Sequence, residues 1–78
     1  MPKFLDVHPL KELDEETLRQ LQSAPVDEFK VKAINLMYNY EADKFYCLLE
    51  APNKQAIEDH HNKYGFKCEW IIEVKTTA

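Results

Sequence analysis

The sequence of 78 residues has few of the residue types on which several common protein functions depend. Its single glycine, Gly65, excludes a glycine-rich phosphate loop. Its single serine, Ser23, lies just before a proline that is expected to end a helix, so a nucleophile turn is absent. The net charge is −4 and no basic block occurs, which excludes nucleic acid as an expected partner.

Long apolar runs are absent as well. No segment approaches the ~20 apolar residues of a membrane span, and the start MPKFLDVHPL lacks the apolar run of a signal peptide. Cys47 and Cys68 lack CxxC spacing and are too few for a disulfide framework. We therefore expect a soluble, cytoplasmic protein that does not contact membranes and keeps both thiols reduced, unpaired and buried.

The composition is that of one globular domain, with 45% hydrophobic and 31% charged residues. We expect residues 1–78 to form a single domain in which residues 76–78 are a tail. Capping signals predict two helices. Asp14 is a good N-cap for the first helix, while Asn53 and Gly65 have the N-cap and C-terminal glycine positions of the second.

Alternating or β-rich stretches predict four strands, namely KFLDVH, FKVKAINLMYNY, KFYCLLEA and KCEWIIEVK. The order strand, helix, strand, strand, helix, strand is that of the ferredoxin-like split βαβ fold, which is α+β. With right-handed crossovers, the four-stranded antiparallel sheet has the order 4-1-3-2 and both helices cover one face.

Strand alternation predicts which residues lie on each face of the sheet. The expected helix-covered residues are Leu5, Val7, Cys47, Leu49, Cys68, Trp70, Ile72 and Val74. The expected open face carries Phe4, Asp6, His8, Tyr46, Leu48, Glu50, Glu69, Ile71 and Glu73. Because a small monomer seldom exposes such large apolar groups, this face predicts a homodimer interface that encloses a polar pocket.

The predicted topology also brings the histidines to one rim of the sheet. His8 ends the first strand, and His60 and His61 end the second helix there. Neighbouring helical residues differ by about 100° around the axis, so His60 and His61 are not expected to bind one ion together.

Several of these segments resemble a known family, namely KFLDVH, FYCLLEAPNKQAI, a histidine before YGF, and IIEV. The chain is similar over almost its whole length to a small ferredoxin-like family of unknown function whose described relative is a dimeric nickel-binding protein. The resemblance implies the split βαβ fold, a dimer through the open sheet faces, and binding of nickel or a similar divalent transition metal. It also implies that the family's histidine in the first strand corresponds to His8. The family's histidine in the second helix would correspond to His61, with His60 as the alternative.

The leading hypothesis is therefore a dimeric divalent-metal-binding protein with nickel favoured. His8 and either His61 or His60 would supply nitrogen, and Asp6, Glu50 or Glu69 would supply oxygen. One alternative is a small isomerase or cofactor-free monooxygenase of the dimeric α+β barrel kind, in which Asp6 and His8 transfer protons inside the open-face pocket. Enzymatic activity therefore stays open. Another is a dimerisation module without a ligand.

Overall fold

The computed structural model describes residues 1–77, which form a four-stranded antiparallel sheet and two helices. The elements are β1 (Lys3–Pro9), α1 (Glu15–Ser23), β2 (Lys32–Asn39), β3 (Lys44–Glu50), α2 (Lys54–Tyr64) and β4 (Trp70–Val74). The sheet order is β2-β3-β1-β4. Both the predicted ferredoxin-like α+β class and the predicted strand order are confirmed.

The helix ends follow the capping signals. The Asp14 carboxylate accepts the amide of Thr17 at 2.8 Å, and the Asn53 side chain accepts the amide of Ala56 at 2.8 Å. Gly65 ends α2 with φ of 73°, in the left-handed region where glycine avoids the steric cost of a Cβ. The first amides of a helix have no hydrogen-bond partner within it, and these side-chain oxygens accept hydrogen bonds from them. Each helix therefore begins directly after its cap residue.

One core lies between the sheet and the helices. It contains the buried apolar residues Phe4, Leu10, Leu18, Val31, Phe45, Cys47, Leu49, Ala51, Ile57 and Ile71. Ile57 of α2 is completely buried, and Leu18 of α1 is 2% exposed. Because burial of apolar side chains is favourable, both helices pack against the same face of the sheet.

The predicted phase of β1 and β4 is wrong. In the β1–β3 register Phe4 faces Leu49 and Asp6 faces Cys47, and in the β1–β4 register Asp6 faces Ile71. Directly paired residues share a face, so the even-numbered residues of β1 and Ile71 lie under the helices.

The opposite face carries the remaining apolar side chains of these strands, and we call it the open face. Its central residues are Leu5, Val7, Tyr46, Leu48, Trp70 and Ile72. Trp70 is 42% exposed and Ile72 is 49% exposed, although both were expected in the core. Of the residues expected on this face, Tyr46, Leu48 and Glu50 lie there. The others on these paired strands do not, namely Phe4, Asp6, His8, Ile71 and Glu73.

Residues 76 and 77 belong to no helix or strand, and Ala78 of the expected tail lies outside the described residues.

Candidate metal centre

A carboxylate and an imidazole are buried together beneath the helices. Asp6 is completely buried, and its Oδ1 lies 3.1 Å from Nε2 of His8. The other ring nitrogen of His8 donates to the carbonyl oxygen of Lys67, since Nδ1 and that oxygen are 2.9 Å apart. A carbonyl oxygen can only accept, so Nδ1 carries a proton and Nε2 is the nitrogen presented to Asp6.

The second helix adds another imidazole to Asp6. Nε2 of His61 lies 3.1 Å from Asp6 Oδ2, but the two groups are not aligned for a hydrogen bond, and Oδ2 has no hydrogen-bond partner among the described residues. Nδ1 of His61 is buried and has no such partner either. The His8 and His61 rings are 4.8 Å apart and nearly perpendicular. Each carboxylate oxygen of Asp6 therefore faces a different histidine.

These contacts change the acid–base properties of both groups in the metal-free protein. Burial favours the neutral form of Asp6, but the contacts with His61 and His8 outweigh it, so the pKa of Asp6 lies below its ordinary value. Burial also opposes the charge on His8, yet Asp6 outweighs that effect and the pKa of His8 lies above its ordinary value. A proton on His8 Nε2 thus lies between an imidazole nitrogen and a carboxylate oxygen. A metal cation at the same position would likewise interact with both atoms.

Cys47 belongs to the same cluster. It lies opposite Asp6 in the β1–β3 register, and the ligand atoms of Asp6, His8 and Cys47 are all within 4.8 Å of one another. Burial raises the pKa of the Cys47 thiol, and the neighbouring Asp6 carboxylate raises it further. Sequence reasoning treated Cys47 only as a buried, unpaired core residue. The signal that could have found it is the antiparallel register, which pairs position 47 with position 6.

His60 lies beside the cluster and has its own carboxylate partner. Its Nδ1 is 2.6 Å from Oδ2 of Asp27, whose Oδ1 accepts the amide of Phe29 at 3.0 Å. Burial opposes the charge of Asp27, but the hydrogen bonds from His60 and Phe29 outweigh it and lower the pKa of Asp27. The ring of His60 is 5.9 Å from that of His61. Sequence reasoning did not identify Asp27, because nothing local in the sequence connects positions 27 and 60.

A cavity of about 70 Å³ opens beside these groups, and we call it the histidine cavity. Its polar lining consists of His8, Cys47, His60 and His61. Its apolar lining consists of Leu21, Ala24, Pro25, Val31, Ala33, Leu36, Phe45, Leu49 and Phe66.

The structure brings together only part of the predicted ligand set. Asp6, His8 and His61 meet, and His60 lies next to them. Glu50 pairs with Lys3 at the other end of β1, and it alternates onto the open face. Glu69 forms an ion pair with Lys44. Neither glutamate is part of the buried group.

The buried donor set fits nickel or a similar divalent transition ion. Imidazole nitrogen and carboxylate oxygen are ordinary ligands for such ions, and a thiolate adds a softer one. Two donors at right angles, each about 2.1 Å from one ion, would be about 3.0 Å apart. The separations of 3.1 Å from Asp6 to His8 and to His61 are close to that value. Oδ2 of Asp6 has no hydrogen-bond partner among the described residues, so it is available as a ligand atom for such an ion.

Fold and cluster together define the class: a small ferredoxin-like α+β protein with a buried set of histidine, carboxylate and thiol groups. Residues 4–74 match the family described as "Nickel responsive protein SCO4226-like", and the chain belongs to that family. The resemblance found in the sequence is thereby confirmed.

One solved structure is similar over nearly the whole length of both chains. It is the crystal structure of SCO4226 from Streptomyces coelicolor A3(2), with a TM-score of 0.79 and 26% identity, covering 97% of this chain and 99% of that chain. No curated protein matches. Among residues 1–77, no helix is both long and apolar enough to cross a membrane.

Proposed function

We propose that the protein binds one divalent transition-metal ion per chain, with nickel favoured, at Asp6, His8 and His61. The observation that carries the proposal is the completely buried Asp6 carboxylate, whose two oxygens each lie 3.1 Å from an imidazole nitrogen. Cys47 is the candidate for an additional sulfur ligand. The family description, which names nickel responsiveness, supports nickel among the ions that such donors accept.

The chain's own residues would prepare the site for the ion. The carbonyl of Lys67 fixes the ring of His8 through Nδ1, which leaves Nε2 as the ligand atom. Binding at Nε2 displaces the proton that His8 shares with Asp6, so ion uptake is coupled to proton release. Because the contact with Asp6 raises the pKa of His8, affinity for the ion should fall as the pH drops through that raised value.

A titration of untagged, metal-free protein with nickel tests this proposal. His61→Ala and His60→Ala form a matched pair, since they make the same change at adjacent positions of α2. We expect His61→Ala to abolish binding and His60→Ala to retain a stoichiometry of about one ion per chain. His8→Ala should behave like His61→Ala, and Glu69→Gln should behave like the wild type. Circular dichroism verifies that each variant is folded. Equal titration of all five proteins would refute the assignment.

We also propose that a second copy of this chain covers the open face in a reducing, cytoplasmic setting. The support is its apolar centre, where Trp70 and Ile72 are each more than two-fifths exposed in the single chain. The rim has lysines and glutamates together, including Lys44 and Glu69, so a two-fold related copy can place opposite charges against each other. Both cysteines are free, which fits a reducing compartment.

The enzyme alternative receives no comparable support. It required Asp6 and His8 in a pocket on the open face, whereas both residues lie under the helices.

A further inference from the structure

His60 is held in one orientation beside the candidate metal ligands. An ionised carboxylate can only accept hydrogen bonds, so the 2.6 Å contact with Asp27 Oδ2 places the proton on His60 Nδ1. In the neutral ring, Nε2 then carries a lone pair and acts as an acceptor. A carboxylate that fixes a histidine in this manner is typical of rings that present the other nitrogen to a ligand.

A second imidazole also lines the histidine cavity. His61 lies in its wall with a side chain that is 9% exposed, but the Nδ1 atom of His61 has almost no accessible surface and does not contact a molecule inside the cavity. Two imidazoles thus line one small space, and His60 is the one that brings an unused acceptor, its Nε2.

The size and lining of the cavity limit what it can hold. A volume of about 70 Å³ exceeds the ~10–15 Å³ that a cavity needs to hold one water molecule, so the cavity has room for solvent or a small ligand. Three of the four residues assigned to the metal, His8, Cys47 and His61, also line the cavity. A molecule inside it therefore lies next to the same donor groups that would hold the ion.

We propose that the histidine cavity is a subsite for a small exogenous ligand of the bound metal, with two or three non-hydrogen atoms, and that water occupies it otherwise. This inference rests on the proposed function. His60 Nε2 accepts a hydrogen bond from the water, and Asp27 is the positioning residue that orients His60. A metal site that keeps one position for solvent or ligand differs from a closed structural site, in which protein atoms supply every ligand.

Azide is a suitable probe, because it has three non-hydrogen atoms and can bind directly to copper or nickel. Protein loaded with Cu²⁺ is titrated with azide, and the absorption band of the azide complex and the relaxation rate of solvent water protons are recorded. Native mass spectrometry measures metal stoichiometry separately. We expect the band to appear and the water relaxation to fall as azide replaces water.

A variant that fills the cavity tests whether azide binds there and not at a surface site. Ala33 of β2 lines the cavity and is half-buried, and a β-branched side chain suits a strand. Ala33→Val should keep the metal and lose both the azide band and the water relaxation, whereas Ala42→Val in the exposed hairpin should match the wild type. An azide response in Ala33→Val equal to that of the wild type would overturn the proposal.

The variant His60→Ala tests the effect of the hydrogen-bond acceptor separately from the effect of the cavity's size. Azide has no proton to donate, so removing the acceptor weakens water but not azide, and azide affinity should rise about two- to tenfold. Unchanged azide affinity would refute the role of His60. Should the metal bind without any azide band, the subsite is refuted and the proposed function stands. Should no metal bind, the proposed function itself fails.

Discussion

Replacing Asp6 with asparagine tests how much the buried cluster contributes to the stability of the metal-free protein. The carboxylate is completely buried and lies 3.1 Å from Nε2 of both His8 and His61. At an effective dielectric constant of ~20, two unit charges at that distance attract each other by about 5 kcal/mol, and burial of the charges offsets part of this. Removing one partner of a buried ion pair lowers the free energy of unfolding by about 3–5 kcal/mol. We expect Asp6→Asn to lower the free energy of unfolding by that amount at about pH 5.

The loss of unfolding free energy in Asp6→Asn should depend on pH in a direction that follows from the pKa shifts of His8 and Asp6. The raised pKa of His8 means that its contribution is present below the unfolded pKa of ~6.5 and is lost as the pH rises through the folded value. The lowered pKa of Asp6 means that its contribution is present above ~3.9 and is lost as the pH falls through the folded value. Stabilisation by the pair is therefore greatest between those limits, and the difference between wild type and Asp6→Asn should shrink at alkaline pH.

Urea denaturation of metal-free protein at several pH values measures this difference. Domains of 78 residues have an expected stability of about 4–12 kcal/mol, so Asp6→Asn removes a large share of it. Glu69→Gln is the control, because its exposed ion pair with Lys44 should contribute at most about 1 kcal/mol. If Asp6→Asn does not fold, the pH profile of the wild type still tests the reasoning. Equal losses in both variants at about pH 5, or a wild-type profile with no fall above that pH, would refute it.

Three further outcomes follow from the structure. Ile72→Glu and Leu48→Glu should convert the proposed dimer into monomers in sedimentation experiments, because both residues lie on the open face; a wild type that is monomeric at micromolar concentration would contradict this. Cys68 is partly exposed and Cys47 is buried, so a thiol reagent should label Cys68 in the native protein and Cys47 only after unfolding, whereas equal labelling rates would argue against the structure. Gly65→Ala should lower the free energy of unfolding by about 1–2 kcal/mol in urea denaturation, because φ is 73°. A Cβ added there would meet no described residue beyond its chain neighbours within 4 Å, so no steric clash adds to this cost, and an unchanged midpoint would show that the strain is absent.

The order and ends of the elements were predictable because they depend on local signals. Asp14 and Asn53 cap the helices where their side-chain chemistry predicts, and Gly65 ends α2. The strand order followed from the order of the elements and the handedness of crossovers. Strand β4 is shorter than predicted, since Cys68 and Glu69 precede its first residue.

The phase of β1 and β4 was not predictable from hydrophobicity. Two polar residues of β1, Asp6 and His8, are buried in the cluster, whereas Trp70 and Ile72 of β4 are exposed. Alternation separates the two faces of a strand, but it does not tell which apolar face is the core when the other face is apolar too. In β1 the buried cluster reverses the usual rule that the polar side of a strand faces solvent.

The candidate site was predictable in part for the same reason. His8 and His61 were brought together by topology, but the choice between His61 and His60 needed the helix orientation. In the structure the ring of His61 faces Asp6, and that of His60 faces Asp27. Cys47 was missed because an isolated cysteine in a strand resembles any small core residue.

An anomalous difference map from a crystal of nickel-loaded protein, collected at the nickel absorption edge, would locate the bound ion. We expect one strong peak per chain beneath the helices, within bonding distance of Asp6, of Nε2 of His8 and of Nε2 of His61. A peak found only at the surface, at the open face or at Glu50 and Glu69, with the buried cluster unchanged, would contradict this expectation.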